Sequence, residues 1–170
     1  MTRLQPTLFG ELIHLRPLRS EDIDALYAVA SDPLIWEQHP ENTRHLRPVF
    51  EKFFEDAMAS GGALLARDAA TGEAIGSSRY NAYDPERRVV EIGWTFLARS
   101  RWGGRYNAEM KRLMLDHAFT FVDRVQFVIG IHNIRSQRAI EKIGAVRVGT
   151  RVNGAGHESF VYELRRAARG

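Results

Sequence analysis

The sequence predicts a mixed α/β domain built on a largely antiparallel sheet, and three observations lead there. Ala63 to Arg67, Ala74 to Tyr83 and Arg88 to Leu97 carry strand-like patterns joined by short turns, Ala69-Ala70-Thr71-Gly72 and Asp84-Pro85-Glu86, which makes them an antiparallel meander. From Gly104 onward Tyr106, Met110, Leu113, Met114, His117 and Phe121 recur at helical spacing. The continuous apolar run Val125 to Ile131 follows directly, so that helix is a crossover and the run a buried strand parallel to the one before it. Helices both precede and follow the meander, so the order is mixed rather than doubly wound.

A first strand is expected from Leu12 to Leu18, ended by Pro17 and Ser20. Ser20-Glu21-Asp22-Ile23 reads as a helix N-cap with acids in the first turn, followed by Ile23, Leu26, Tyr27 and Ala30 on one face, and Asp32-Pro33 stops that helix. Leu34 to Pro48, with Trp36, His39 and His45, is a mixed loop or broken helix. A second helix spans Arg47 to Ser60, with Phe50, Phe53, Phe54, Ala57 and Met58 on its stripe and Gly61-Gly62 closing it. In the third meander strand Val90, Ile92, Trp94 and Phe96 point one way, and Val89, Glu91, Gly93, Thr95 and Leu97 the other, which leaves one carboxylate on a face of small and apolar groups. In the crossover helix Glu109, Lys111, Arg112 and Asp116 fall off the apolar stripe. A last helix starts near Ile134, with Asn133 as N-cap and Gly144 just past its end. Val146 to Val152 and Ser159 to Leu164 close the chain as a hairpin around Asn153-Gly154, followed by a frayed Arg-Ala tail.

At 170 residues and 44% hydrophobic content, the chain is sized for a single domain over residues 1–170. It has no cysteine, which excludes disulfides, thiolate zinc sites and Cys nucleophiles. No run of about 18 apolar residues and no basic-then-apolar leader occurs, so a soluble cytoplasmic protein without membrane contact is expected. The net charge is +3, with a pI near 9.5 carried mostly by Arg. Those arginines are spread along the chain apart from Arg99, Arg101 and Arg105, which favours a small phosphorylated ligand over nucleic acid. His39 and His45 have no acidic partner pattern, so no metal site is expected.

The stretch Glu91 to Gly144 carries the chemistry. A strand runs into the basic, glycine-containing turn Trp102-Gly103-Gly104-Arg105-Tyr106-Asn107, which feeds a helix whose first N–H groups are unpaired and whose dipole favours an anion. The second half repeats the plan, with Asn133 and Ser136 at the junction. In their order the elements and motifs resemble the GNAT superfamily of acyl-CoA-dependent N-acetyltransferases, and most of all the branch that acetylates the amino termini of ribosomal proteins. The likeness runs from Leu15-Arg16-Pro17-Leu18 and Glu21-Asp22 to the last strand and is strongest from Glu91 to Gly144.

That resemblance implies a central mixed, mostly antiparallel sheet of about seven strands with a parallel splayed pair, flanked by about four helices. It implies acetyl-CoA as cosubstrate and an amine acceptor, and dimers are common for such folds. Phe96 and Leu97 would offer backbone to the pantetheine arm, Trp102, Gly103, Gly104, Arg105, Tyr106 and Asn107 would form the pyrophosphate turn, and Asn133 would contact the cofactor. The chain departs from the family pattern at Arg105 and Asn107, where Gly and Gly or Ala are usual. It departs again at Ile140, where many relatives place a Tyr that protonates the CoA thiolate, and at Ala145, where Phe is usual. Ser136 is then the nearest replacement acid.

Acetyl transfer needs a neutral amine, and an α-amino group titrates near about 8, an alkylamine near about 10. A carboxylate beside the thioester can remove that proton through water, and Glu91 is the candidate; a backbone N–H near Thr95 or Phe96 would hold the oxyanion. Glu91 equally fits an ion pair with a neighbouring arginine, Ser136 a helix cap, and Gly103-Gly104 an ordinary turn. His117 fits a core histidine, His132 has the better claim to a cleft, and Trp36 and Tyr80 fit either pocket wall or core. A non-catalytic acyl-CoA-binding module on the same scaffold remains the alternative function.

Overall fold

The computed structural model describes residues 3–166; Ala167 to Gly170, most of the expected tail, lie outside them. Eight strands form one open mixed sheet: β1 Leu8–Phe9, β2 Ile13–Pro17, β3 Ala63–Asp68, β4 Ala74–Asp84, β5 Val89–Leu97, β6 Arg124–Gly130, β7 Val146–Val152 and β8 Glu158–Arg165, in the order β1-β2-β3-β4-β5-β6-β8-β7. Four α-helices flank it: α1 Ile23–Ala30, α2 Arg47–Ser60, α3 Arg105–Ala118 and α4 Ile134–Lys142. Every neighbouring pair is antiparallel except β5 with β6. The two-residue β1 is the one strand not anticipated, because two residues cannot display a period.

Two apolar clusters cover the two faces of the sheet. Along β3, Leu64 belongs to the cluster with Met110 and Met114 of α3 and Ile140 of α4, and its neighbour Leu65 to the cluster with Leu26 of α1 and Phe50 of α2. That is the period of two written into packing. α2 has the boundaries expected from Pro48 and Gly61, and burying Phe50, Phe53 and Phe54 contributes about 2 kcal/mol apiece. Met58, counted on that stripe from the sequence, is 39% exposed, because it follows Ala57 around to the solvent side.

Two further expectations are corrected. Ser20 makes no cap; the turn before α1 is closed by Asp22, whose carboxylate accepts the Arg19 N–H at 2.8 Å and a forked pair of bonds from Arg16 at 2.8 and 2.9 Å. Phe96 does not share a face with Val90 and Ile92. One extra residue sits in β5 between the pairs Arg79–Gly93 and Ser77–Phe96, with Trp94 at φ 53°, and this bulge reverses the alternation. Phe96 therefore joins Trp36 and Phe53 on the α1/α2 side, and Leu97 joins the α3 side.

α3 is fastened to the start of the sheet by Glu109, whose Oε1 accepts the backbone N–H groups of Leu12 at 2.8 Å and Ile13 at 2.9 Å. Glu109→Ala is expected to orphan both donors and lower stability by about 2 kcal/mol, whereas Glu109→Gln, which keeps the accepting oxygen, is expected to lose less than half as much; denaturant melts of the two variants check this.

Candidate active site

β5 and β6 stay paired for three residues only, Val89–Arg124, Val90–Val125 and Glu91–Gln126. Beyond that point β5 keeps its ladder with β4 as far as Leu97, and β6 keeps its ladder with β8 as far as Gly130. Each strand follows its other neighbour, and a cleft of about 550 Å³ opens between them. Along this edge the backbone of β5 has no strand partner on the β6 side and is free to bond a ligand.

The turn at the mouth of the cleft fits an anion. Gly103 and Gly104 have φ of 115° and 101°, a region other residues avoid, and a Cβ on either would have no neighbour within 4 Å. The 14-residue α3 starts immediately after, so the amides of its first turn lack helical partners. Arg105 and Asn107, the departures from the family pattern, are not among the non-glycine residues with positive φ and sit in the helix itself. Neither disturbs the turn.

Of the residues singled out from sequence, Phe96, Leu97, Trp102, Gly103, Gly104, Asn107, Asn133 and Ser136 line this one cleft, and Glu91, Arg105 and Tyr106 are not among its lining residues. The Tyr106 hydroxyl donates to Asp68 Oδ2 at 3.2 Å, and Arg105 is exposed at the helix start. Trp102 Nε1 donates to the Leu97 carbonyl at 3.0 Å, and the Arg135 guanidinium stacks on its ring at 4.0 Å, which joins the end of β5 to α4. Asn133 caps α4 by accepting the Ser136 N–H at 3.4 Å, and Ser136 is half-buried on the cleft wall. Of the expected basic cluster, Arg99 pairs with Asp32 and Arg101 with Asp68.

Glu91 is half-buried on the face opposite Val90 and Ile92, and its Oε2 lies 3.6 Å from where a Cβ on the cleft residue Gly93 would stand. Glycine at 93 thus leaves the carboxylate room beside the cleft. Burial pushes the Glu91 carboxyl above its usual range, against the pull of Arg151, Asn81 and Arg79. No cation lies within 4.0 Å of it among the described residues, so the ion-pair reading is not what the structure shows.

Sequence reading missed several cleft residues. Lys111 falls off the apolar stripe of α3, yet it is 5% exposed, lines the cleft and donates from Nζ to Thr95 Oγ1 at 2.8 Å; Thr95 Oγ1 in turn meets Ser78 Oγ at 2.8 Å. Burial pushes the Lys111 amine down to about 7. Its signal was the four-residue step from Lys111 to Leu115, a second buried row beside the apolar one. Arg138 and Lys142 of α4 also line the cleft, spaced three and seven residues from Arg135 on one helix face. His39 lines the cleft whereas His132 is exposed, and burial together with nearby Arg44 and His157 pushes the His39 ring down to about 3. Trp36 lines the cleft, and Tyr80 is core, its hydroxyl donating to the Met114 carbonyl.

A family described as "Acetyltransferase (GNAT) domain" matches residues 13–146. The chain belongs to the GNAT acetyltransferase family. Among curated relatives, the uncharacterized N-acetyltransferase p20 of Bacillus licheniformis is 24% identical over 152 residues, covering 84% of each chain. Among solved structures, a GCN5-related N-acetyltransferase from Brucella melitensis superposes with a TM-score of 0.84 at 21% identity, over 96% of this chain and 80% of that one. Mycobacterium smegmatis RimJ in complex with CoA-disulfide superposes with a TM-score of 0.75 at 20% identity, over 97% and 90%. Both share the open mixed sheet. Members of the family transfer acetyl from acetyl-CoA, and the splayed strands with the Gly103-Gly104 turn fit that cosubstrate. No helix of the described residues is long and apolar enough to cross a membrane, and no group of three metal-ligating side chains occurs among them.

Lys111 couples the cleft to pH. Its folded-state pKa lies below the unfolded value, so between about 7 and 10.5 the unfolded chain holds a proton that the folded chain lacks, and stability rises with pH through that interval and is flat below it. Lys111→Met is expected to raise stability at pH 7 by at least about 1.4 kcal/mol, the equivalent of one pKa unit, and to flatten the rise between pH 7 and 10; thermal melts across that range test it.

Proposed function

We propose that the protein acetylates a primary amine, of a small molecule or a protein N-terminus, by direct attack on acetyl-CoA in a ternary complex. The observation that carries this reading is the parting of β5 from β6 directly above a glycine turn at the start of α3. CoA would lie with its diphosphate on the Trp102–Asn107 amides and its pantetheine arm along the open edge of β5 at Phe96 and Leu97, with Asn133, Arg138 and Lys142 on the α4 side. It supplies the activated acyl group.

Glu91, beside Gly93, takes the amine proton through a water, and burial, by raising its pKa, makes it a stronger base than an ordinary carboxylate. The amine forms a bond to the acyl carbon as the C–S bond breaks, while a β5 amide near Thr95 or Phe96 stabilises the developing oxyanion. The Ser136 hydroxyl, on the opposite wall, relays a proton from water to the departing thiolate. Ile140, 2% exposed at the place of the family's Tyr, can do no such work and leaves Ser136 as the hydroxyl on the α4 wall of the cleft. The Leu15-Arg16-Pro17-Leu18 opening and the Trp102-Gly103 pair support kinship with the branch acting on ribosomal-protein N-termini. Buried Ile140 also favours a second reading, a module that binds acyl-CoA without turnover.

Glu91→Gln is expected to lower kcat by about 10²-fold or more, and Ser136→Ala by about 10-fold, each leaving CoA affinity within about twofold of the parent. Thiol release with an amine panel, beside calorimetry with CoA, checks both. Binding of CoA by the parent with no thiol release on any amine would select the module.

A further inference from the structure

Two arginines with no carboxylate within 4.0 Å among the described residues stand at the cleft: Arg44, which lines it, and Arg79, which lies against the cleft residue Trp94. Arg79 of β4 is 6% exposed, and its Nε and Nη2 have no hydrogen-bond partner. Its guanidinium lies 4.3 Å from the ring of the cleft residue Trp94 and 5.6 Å from that of Phe53. Arg44 lines the cleft and stacks on the same Phe53 at 4.7 Å. Its polar neighbour is His39, Nη1 to Nε2 at 3.3 Å, but His39 Nδ1 accepts the Glu41 N–H at 2.9 Å. A neutral imidazole with Nδ1 as acceptor carries its proton on Nε2 and has no lone pair left for Arg44. Arg79 Nε and Nη2 thus meet no acceptor, and Arg44 Nη1 meets a ring nitrogen that cannot accept from it.

The surrounding acids do not discharge the pair. Asp56 acts on both arginines, Glu41 on Arg44 and Glu91 on Arg79, but none comes within 4.0 Å; Asp56 is bonded to Lys52 at 3.0 Å, and Glu41 faces His157 at 3.3 Å. Burial lowers the affinity of both arginines for their protons, of Arg44 to about 10. Two desolvated like charges over one aromatic ring are costly to hold unless something negative joins them.

The register places that negative group relative to the base. Arg79 stands opposite Gly93 and Asn81 opposite Glu91, so Arg79 and Glu91 are diagonal neighbours on one sheet face, with side-chain origins about 7 Å apart. That span suits one small molecule with an amine at one end and a carboxylate at the other.

We propose, resting on the acetyl-transfer reading above, that the acceptor is a free amino acid, whose carboxylate is bound by Arg44 beside Arg79 while its amine faces Glu91. A planar carboxylate takes two parallel N–H bonds from a guanidinium, and Arg44, at the cleft wall, is placed to give them. A polyamine would bring further positive charge to this wall and is disfavoured. A protein N-terminus, whose first residue ends in an amide, would leave both arginines as they are.

The test uses the proteinogenic L-amino acids, the same set as carboxamides, and spermidine. Thiol release from acetyl-CoA is measured with each, and so is the thermal shift that each produces on the CoA-loaded protein, a readout that needs no turnover. At least one amino acid is expected to exceed its carboxamide tenfold in kcat/KM and to raise the melting temperature where the carboxamide does not. Arg44→Met and Arg79→Met are each expected to raise KM for that amino acid more than tenfold while CoA affinity stays within twofold; Arg44, being half-buried, carries the test if Arg79→Met fails to fold. Carboxamides or spermidine equalling or surpassing the amino acids, in rate or in thermal shift, would overturn the proposal. A thermal shift confined to amino acids without thiol release on any amine would support the anion site and overturn the transfer reading instead.

Discussion

The parting of β5 from β6 is the constraint on which the rest of the structure depends. Both strands have a second neighbour that holds them along most of their length, β4 through the ladder ending at Gly76–Leu97 and β8 through seven consecutive pairs. Between them only three pairs form, and the bulge at Trp94 adds local twist just where β5 leaves. Backbone groups that would normally close a ladder are left facing a cleft. A ligand that extends along β5 completes the hydrogen bonding that the fold leaves undone, and the first turn of α3 and the Asn133 cap of α4 stand at the mouth of that opening.

The same bulge sorts the chemistry between the two faces of the sheet. Before it, β5 presents Glu91 and Gly93 toward the α1/α2 side; after it, Thr95 turns toward α3, where Lys111 meets its hydroxyl, and Phe96 turns toward Trp36 and Phe53. Glu91 and Lys111 are thus close in sequence order to one short stretch of strand yet lie on opposite sides of the sheet. Burial disfavours the charged form of each, moving the Glu91 carboxyl upward from its usual range and the Lys111 amine down to about 7.

Charge in the cleft is one-sided for the same structural reason. Arg99 and Arg101 pair with Asp32 and Asp68 in bracing the segment after β5, and the cations open to a ligand include Arg138 and Lys142 of α4 on one wall and Arg44 on the other, with Arg79 behind Trp94. These four come from three elements far apart in sequence. Arg79 is a diagonal neighbour of Glu91 on the same face of the sheet.

By itself the sequence determined whatever is governed by neighbours within a turn or a strand. Pro48 and Gly61 bounded α2, Asn133 and Gly144 bounded α4, the short turns made β3, β4 and β5 a meander, and Gly103-Gly104 announced a turn whose backbone no side chain covers. The helix between β5 and β6 implied their parallel pairing. Tertiary structure alone decided what depends on residues brought from a distance. One extra residue at Trp94 moved Phe96 to the other face, because a period of two survives no insertion, and the second buried row of α3 took in Lys111 because Thr95 waits above it. His39 and Arg44 looked like loop residues, and only the packing of that loop on Phe53, which Arg44 and Arg79 both approach, gave them their burial, since desolvation is a property of a place and not of a residue.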